Sequence, residues 1–158
     1  MTTVARVVVH PAQGRELEIM ELALPAPGPH QVVVKQMATG VCHTQVHQIN
    51  APHDAPILLG HEGIGIVVAT GDAVEHVREG DKVLVSWIPR DAANSDRPPE
   101  VSRLTLPDGR VATSPNVFSW ADHVICDEQY VVGVPDAAYV DVACIVSCAV
   151  LTGAGAVS

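Results

Sequence analysis

Twelve glycines and twelve prolines divide this chain into short segments, and this punctuation restricts its possible folds more than any other feature. Between the breaks stand runs rich in β-branched residues, whose length and composition are typical of strands. They are TVARVVVH (3–10), LEIMELAL (17–24), QVVVKQM (31–37), GHEGIGIVVAT (60–70), KVLVSWI (82–88) and ADHVICDEQYVVGVP (121–135). Helical character is confined to 43–49 and 139–157. We therefore predict a mostly β fold with short helices, arranged as a small, mostly antiparallel barrel.

The segment 88–116 differs from the rest of the chain because it carries five prolines and almost no apolar periodicity. Loops of this length are uncommon in a compact domain and are usually functional or partly disordered. We predict a long loop here, to which the sequence assigns no role.

Composition and charge exclude several classes of protein. A length of 158 residues with 47% hydrophobic content is enough for one domain with a core. The net charge of −9 and the pI of about 5.2 disfavour binding to nucleic acid or to an anionic membrane surface. No apolar run is long enough to span a bilayer, and the N-terminal run is too short for a secretory signal. We therefore expect a cytoplasmic protein.

One set of side chains, Cys42, His61 and Cys148, suggests metal chemistry. Two thiolates and one imidazole favour zinc, and three protein ligands leave a fourth position open, as in catalytic zinc sites. The His-Glu pair at position 61 does not begin a metalloprotease helix, because Gly65 stands where the second histidine would be needed. Spacing alone leaves buried free cysteines as the alternative reading.

Several motifs resemble, in the same order along the chain, those of the zinc-containing medium-chain alcohol dehydrogenases. GHEGIGIVVATGDAV is similar to the family's Gly-His-Glu signature with its later glycines, here Gly65 and Gly71. GVCHTQVH, REGDKV and SCAVLTGAGAV resemble the first-ligand turn, the Gly-Asp-Lys turn and the third-ligand helix. The resemblance covers essentially the whole chain. It implies that residues 1–158 form the family's N-terminal catalytic domain, a GroES-like, partly open antiparallel barrel.

The same resemblance implies roles for individual residues. Cys42, His61 and Cys148 would bind one catalytic zinc ion. The other implied roles are Glu62 behind the metal, Thr44 as acceptor of the substrate alcohol's proton, His47 at the end of the proton relay, His43 beside the cofactor pyrophosphate, and Trp87 in the substrate pocket. For the last four, ordinary surface or core positions remain the alternative. Cys126 and Cys144 are interpreted as buried thiols.

The chain departs from the family pattern at three points. Gln45 stands where many members have an aspartate; its neutral amide can accept an imidazole N–H, but with less charge. No cysteine lies between Cys42 and Cys126, so the family's structural-zinc lobe is missing and a single zinc is expected. The sequence ends in GAGAVS without Gly-x-Gly-x-x-Gly between a strand and a helix, so we expect the dinucleotide-binding Rossmann domain to be absent. The terminal helical segment would lead into that domain.

The resemblance implies a zinc-dependent alcohol dehydrogenase that oxidises an alcohol to an aldehyde or ketone with hydride transfer to NAD or NADP. The expected partner is a small-molecule alcohol or aldehyde, with homo-oligomers in the full-length form; the 158-residue chain alone is expected to be inactive. Two alternatives stay open. One is a zinc-free quinone or enoyl reductase with the same barrel. The other is a truncated, non-catalytic GroES-like module that binds a metal.

Overall fold

The computed structural model describes residues 3–90 and 95–157 of the chain. Its described part contains ten strands: β1 Val4–His10, β2 Glu18–Ala23, β3 Gln31–Thr39, β4 Ile57–Leu58, β5 Glu62–Thr70, β6 Lys82–Ser86, β7 Ser102–Thr105, β8 Val111–Ser114, β9 His123–Asp127 and β10 Val131–Gly133. The prediction of a mostly β fold is confirmed. No helix in these two ranges is long and apolar enough to cross a membrane.

The strands form two five-stranded sheets. One has the order β2-β1-β4-β8-β7 and the other the order β10-β6-β5-β3-β9. All neighbouring strands that the structure describes are antiparallel except β4 and β8, which pair in parallel through Ile57 and Thr113. The two sheets are not closed into one barrel, so the partly open arrangement is the observed one.

The hydrophobic core joins side chains from both sheets. Burial alternates along β1: Ala5, Val7 and Val9 are fully buried, whereas Val4 and Arg6 point to the other face and are exposed. Each buried valine of this kind contributes about 1.5–3 kcal/mol by leaving water. The core therefore holds the first sheet against the second, whose central strand β5 begins directly after His61.

The helices are short and lie where the sequence predicts helical character. Helix α1 spans His43–Asn50. The C-terminal segment is divided into α2 (Val140–Ala143), a π-helical turn (Val146–Val150) and α3 (Leu151–Gly155). The π-helical turn packs on β6, where the Ser147 hydroxyl donates to the carbonyl oxygen of Val85 at 2.9 Å. This anchor, midway along the segment, fixes the position of its neighbour Cys148.

The prediction of a structureless loop over 88–116 is wrong. The segment contains the hairpin β7–β8, in which Leu104 pairs with Ala112. The turn is closed by Gly109 at φ +85°, a conformation that glycine adopts without strain. An Asp-Gly pair between alternating side chains is a strong hairpin signal, but the prolines around it obscured the signal in the sequence. Residues 91–94, also within this segment, lie outside the described residues.

An ion pair fastens the same segment to the second sheet. Arg97 donates through both terminal guanidinium nitrogens to the carboxylate of Asp127, with Nη2 3.1 Å from Oδ1. The backbone N–H groups of Glu100 and Gln129 donate to the same carboxylate, each at 2.9 Å. Asp127 is buried, so all its acceptor capacity must be met within the protein. The buried carboxylate of Asp127, through its hydrogen bonds, thus holds the segment in place.

Candidate metal and substrate site

Three separate elements bring Cys42, His61 and Cys148 together. Cys42 precedes α1, His61 precedes β5, and Cys148 lies in the π-helical turn. Their ligand atoms all lie within 4.8 Å of one another. Cys148 Sγ is 3.3 Å from His61 Nε2 and 3.8 Å from Cys42 Sγ. The grouping predicted for these three residues is therefore present in the folded chain.

The turn before His61 depends on Gly60. Its φ of +88° lies in the left-handed region, and a Cβ there would come within 2.5 Å of Ser119 Oγ. The Ser119 hydroxyl in turn accepts the backbone N–H of Glu62 at 3.2 Å. This close approach of two backbone segments directs His61 toward the cysteines as the chain enters β5.

The local environment sets different pKa values for the two thiols. Hydrogen bonds from Thr44, whose Oγ1 is 3.4 Å from Cys42 Sγ, hold the pKa of Cys42 below its ordinary value against the effect of burial. Burial raises the pKa of Cys148 to about 11, helped by its contact with Cys42. Burial also lowers the pKa of His61 and so favours the neutral imidazole, the form that binds metals.

The donor set fits a zinc ion. Two sulfur ligands about 2.3 Å from a tetrahedral zinc lie roughly 3.8 Å apart. That value matches the 3.8 Å between Cys42 Sγ and Cys148 Sγ. Among the residues described, this is the single group of three histidine, cysteine or acidic side chains close enough to hold a metal. The part of the chain that the structure describes offers no fourth ligand, as in open zinc sites.

Gln45 contacts two members of this site through the two ends of its amide. Its Oε1 accepts the backbone N–H of Cys42 at 3.1 Å, and its Nε2 lies 2.8 Å from His61 Nδ1. Because the backbone N–H fixes the oxygen, the amide donates to the imidazole. The sequence-based expectation was the reverse, an amide that accepts the imidazole N–H, and it overlooked the competing need of the helix N-terminus for an acceptor.

Glu62 adjoins the cluster, because it follows His61 in the chain and contacts the residue after Cys148. It is 1% exposed, and its Oε2 accepts the backbone N–H of Ala149 at 3.4 Å. Burial raises the pKa of this carboxyl group. A carboxylate held in this position needs a neighbouring cation to offset its burial.

A cavity of about 310 Å³ opens in front of the cluster. Thr44 and Trp87 line it together with the three candidate ligands, and the Trp87 ring lies 6.3 Å from the His61 ring between centroids. A larger groove of about 660 Å³ runs along β1 and β2 past Leu17 and Ile19, and none of the three candidate ligands lines it. We assign the candidate site to the smaller cavity because it alone combines space with the metal-binding donors.

Three of the predicted site residues, His43, His47 and Glu62, are not among the described residues that line the cavity. His43 and His47 lie on the exposed face of α1, where their rings meet edge to face with centroids 4.8 Å apart. Cys126 and Cys144 are buried free thiols outside the metal group, as predicted.

The sequence analysis missed four polar residues of the cavity wall: Gln48, Ser114, Asn116 and Thr152. Gln48 lies one turn beyond Thr44 on α1, and helical spacing could have placed it on the same face. Ser114 and Asn116 come from the end of β8, inside the segment that was taken as a loop. Their position depends on the parallel pairing of β8 with β4, which no local pattern indicates.

Comparison with known proteins places the chain among dehydrogenase domains. The sequence profile of the alcohol dehydrogenase GroES-like domain matches residues 28–136. An alcohol dehydrogenase of Moraxella sp. (strain TAE123) is 43% identical over 79 residues, which make up 48% of this chain and 23% of that protein. An S-(hydroxymethyl)glutathione dehydrogenase of Komagataella pastoris is 31% identical over 167 residues, covering 90% of this chain and 44% of that protein. The chain thus spans less than half the length of either relative.

Solved structures share the fold. An alcohol dehydrogenase zinc-binding domain protein from Burkholderia ambifaria superposes with a TM-score of 0.78 at 24% identity, covering 99% of this chain and 49% of that chain. A quinone oxidoreductase of Pseudomonas syringae pv. Tomato DC3000 gives 0.68 at 23% identity, covering 95% and 39%. At this level of identity the likeness establishes the architecture alone.

Proposed function

The chain belongs to the family of alcohol dehydrogenase GroES-like domains, and on this premise we propose that it forms the zinc-binding catalytic part of an NAD- or NADP-dependent alcohol dehydrogenase. The observation that carries the proposal is the triangle of Cys42, His61 and Cys148 at the wall of a cavity. Three ligands and an adjoining space of substrate size are what a catalytic metal needs, whereas a structural zinc would be closed by a fourth ligand.

Zinc in this position would supply Lewis-acid stabilisation of negative charge on an alcohol oxygen. We assign one such ion to the chain and no structural zinc. Cys42, His61 and Cys148 would hold it, with Glu62 close behind as the buried counter-charge. The nicotinamide cofactor would be bound largely by a dinucleotide-binding domain, which residues 1–158 do not supply, and His43 would contact its pyrophosphate.

Proton removal would fall to α1. The Thr44 hydroxyl lines the cavity beside Cys42 and can both accept and donate a proton, so it can take the proton of a substrate alcohol and pass it on. His47 lies three residues further on the same helix and is exposed, which suits the last member of a relay to solvent. Trp87 would shape the apolar side of the substrate pocket.

A zinc-free quinone reductase is the second candidate, because a quinone oxidoreductase has the same architecture at a TM-score of 0.68. The two candidates differ in one requirement. Reduction of a quinone on this scaffold needs no metal, so it gives no reason for two thiols and an imidazole to converge. The convergence favours the dehydrogenase.

Metal replacement tests the proposal. The purified chain is stripped with a chelator, loaded with zinc and measured for bound metal; we expect close to one ion per chain. The cobalt(II) form is then titrated with a primary alcohol, which should shift its visible absorption because one coordination position is open. The proposed function would be contradicted if the chain did not bind metal stoichiometrically. It would also be contradicted if alcohols left the cobalt spectrum unchanged.

A further inference from the structure

The cavity wall carries a second polar group besides the metal-binding triangle. It consists of Gln48 from α1 and of Ser114 and Asn116 from the end of β8. A compact cavity of about 310 Å³ is roughly 8 Å across, so a small molecule in it reaches the triangle and this group at once.

Asn116 lines the cavity, and its amide oxygen is engaged within the protein. Its Oδ1 accepts the backbone N–H of Val117 at 2.8 Å and lies 3.4 Å from the Ser114 hydroxyl. The backbone N–H fixes which end of the amide is the oxygen. The Nδ2 group, with two N–H donors, has no hydrogen-bond partner in residues 3–90 and 95–157.

Gln48 adds to the same donor character. Its Oε1 accepts from Gln45 Nε2 at 3.4 Å, and its own Nε2 has no partner in the described part of the chain. The Ser114 hydroxyl donates to the carbonyl oxygen of Val117 at 2.8 Å. The Asn116 amide therefore has its oxygen engaged and its NH₂ group available.

A monofunctional aliphatic alcohol would not use these donors. Once it excludes water from the cavity, the Asn116 NH₂ group loses its solvent partners and gains none, which is unfavourable. A molecule with a second oxygen atom would accept from that group while its first oxygen faces the metal-binding triangle.

We infer that the substrate carries a second hydrogen-bond acceptor close to the reacting carbon, as a vicinal diol or an α-hydroxycarbonyl compound does. Asn116 is the residue that recognises this second oxygen, with Gln48 beside it. The inference rests on the proposed function, because it takes the triangle as the site where the first oxygen is bound.

Binding of a matched pair of ligands tests it. Zinc-loaded, ¹⁵N-labelled protein is titrated with propane-1,2-diol and, separately, with 1-propanol, while the side-chain NH₂ resonance of Asn116 is followed. The diol should bind about tenfold more tightly and shift that resonance, whereas 1-propanol should leave it nearly unchanged.

Two variants give the test its specificity. Asn116→Asp keeps the oxygen that accepts from Val117 but removes both N–H donors, and it should abolish the preference for the diol. Asn50→Asp makes the same chemical change on the exposed end of α1 and should retain the preference. Bound zinc is measured for both proteins so that a change in the metal site is recognised.

The outcomes separate the two proposals. Equal affinity for diol and propanol in zinc-loaded protein, or a preference that survives Asn116→Asp, overturns the inference and leaves the proposed function standing. Absence of stoichiometric zinc overturns the proposed function and the inference with it.

Discussion

Gln45 Nε2 lies 2.8 Å from His61 Nδ1, with the amide donating to the ring. An imidazole that accepts a hydrogen bond at Nδ1 carries its proton, when neutral, on Nε2, the nitrogen that faces Cys148 Sγ. Zinc binding through Nε2 needs that nitrogen free of its proton. The amide must then turn its oxygen toward Nδ1, which removes the acceptor of the Cys42 N–H. Gln45 is therefore expected to lower the affinity of the site for zinc by a modest amount.

Replacement of this amide by a carboxylate should strengthen zinc binding. In Gln45→Glu, two oxygens replace the oxygen and the nitrogen, so one can accept from Cys42 N–H and the other from His61 Nδ1–H. Contacts of this kind change metal affinity by about 10–100-fold, and we expect a gain of about tenfold. Competition with a chromophoric chelator measures the affinity. Gln13→Glu, an exposed site outside the cavity, is the matched control, and an unchanged affinity in Gln45→Glu would refute the tautomer argument.

Loss of the imidazole should abolish stoichiometric zinc. His61→Ala leaves two thiols with too few ligands for a stable site, and elemental analysis should find less than a tenth of the wild-type metal content. His53→Ala provides the comparison. His53 bonds to His10 at 2.8 Å, away from the cluster, so its removal should leave the zinc content unchanged. Full retention of zinc by His61→Ala would remove this residue from the ligand set.

The turn at Gly60 should tolerate no side chain. Gly60→Ala combines a left-handed backbone with a Cβ within 2.6 Å of the Trp120 backbone nitrogen, so we expect a loss of about 3 kcal/mol or more in the free energy of unfolding. Gly109→Ala has a similar φ but no atom within 4 Å of its Cβ, and it should lose only about 1–2 kcal/mol. Urea denaturation of both variants measures the difference. Equal losses in the free energy of unfolding would mean that the atoms around Gly60 move to relieve the crowding.

The Arg97–Asp127 pair should make the free energy of unfolding depend on pH in the acidic range. Burial raises the pKa of Asp127, but hydrogen bonds from Arg97, Gln129 and Glu100 outweigh it and hold the pKa below its usual value. A group with a depressed folded pKa stabilises the fold above its unfolded pKa, about 3.9, and loses this contribution as the pH falls through the folded pKa. Asp127→Asn should therefore cost about 2 kcal/mol at pH 7 and less at pH 3.

Denaturant unfolding at both pH values measures that difference. Asp108→Asn is the control, because its partner Arg110 and the carboxylate itself are half exposed and such pairs contribute little. A cost for Asp127→Asn that is the same at pH 7 and pH 3 would contradict the assignment.

The sequence predicts the parts of this molecule that local patterns encode. The alternation of β1 and the ordered motifs around Cys42, His61 and Cys148 were enough for the fold class and for the grouping of the three side chains. The position of Asn116 was not predictable, because it depends on β8 pairing with a two-residue strand more than fifty positions earlier. The direction of the Gln45 hydrogen bond was likewise decided by a backbone N–H that residue identities do not reveal.

Cys42 and Cys148 stand 106 positions apart in the chain, although their sulfurs lie 3.8 Å apart. Closing so long a loop is slow compared with forming a helix or a hairpin, so we expect the C-terminal segment to dock late during folding. A polypeptide that has assembled both sheets but not this segment holds two of the three candidate ligands, and we expect it to bind zinc weakly. We therefore expect metal occupancy to report how much of the protein has completed folding. Zinc present during refolding should stabilise the docked C-terminal segment and should not speed the formation of the sheets.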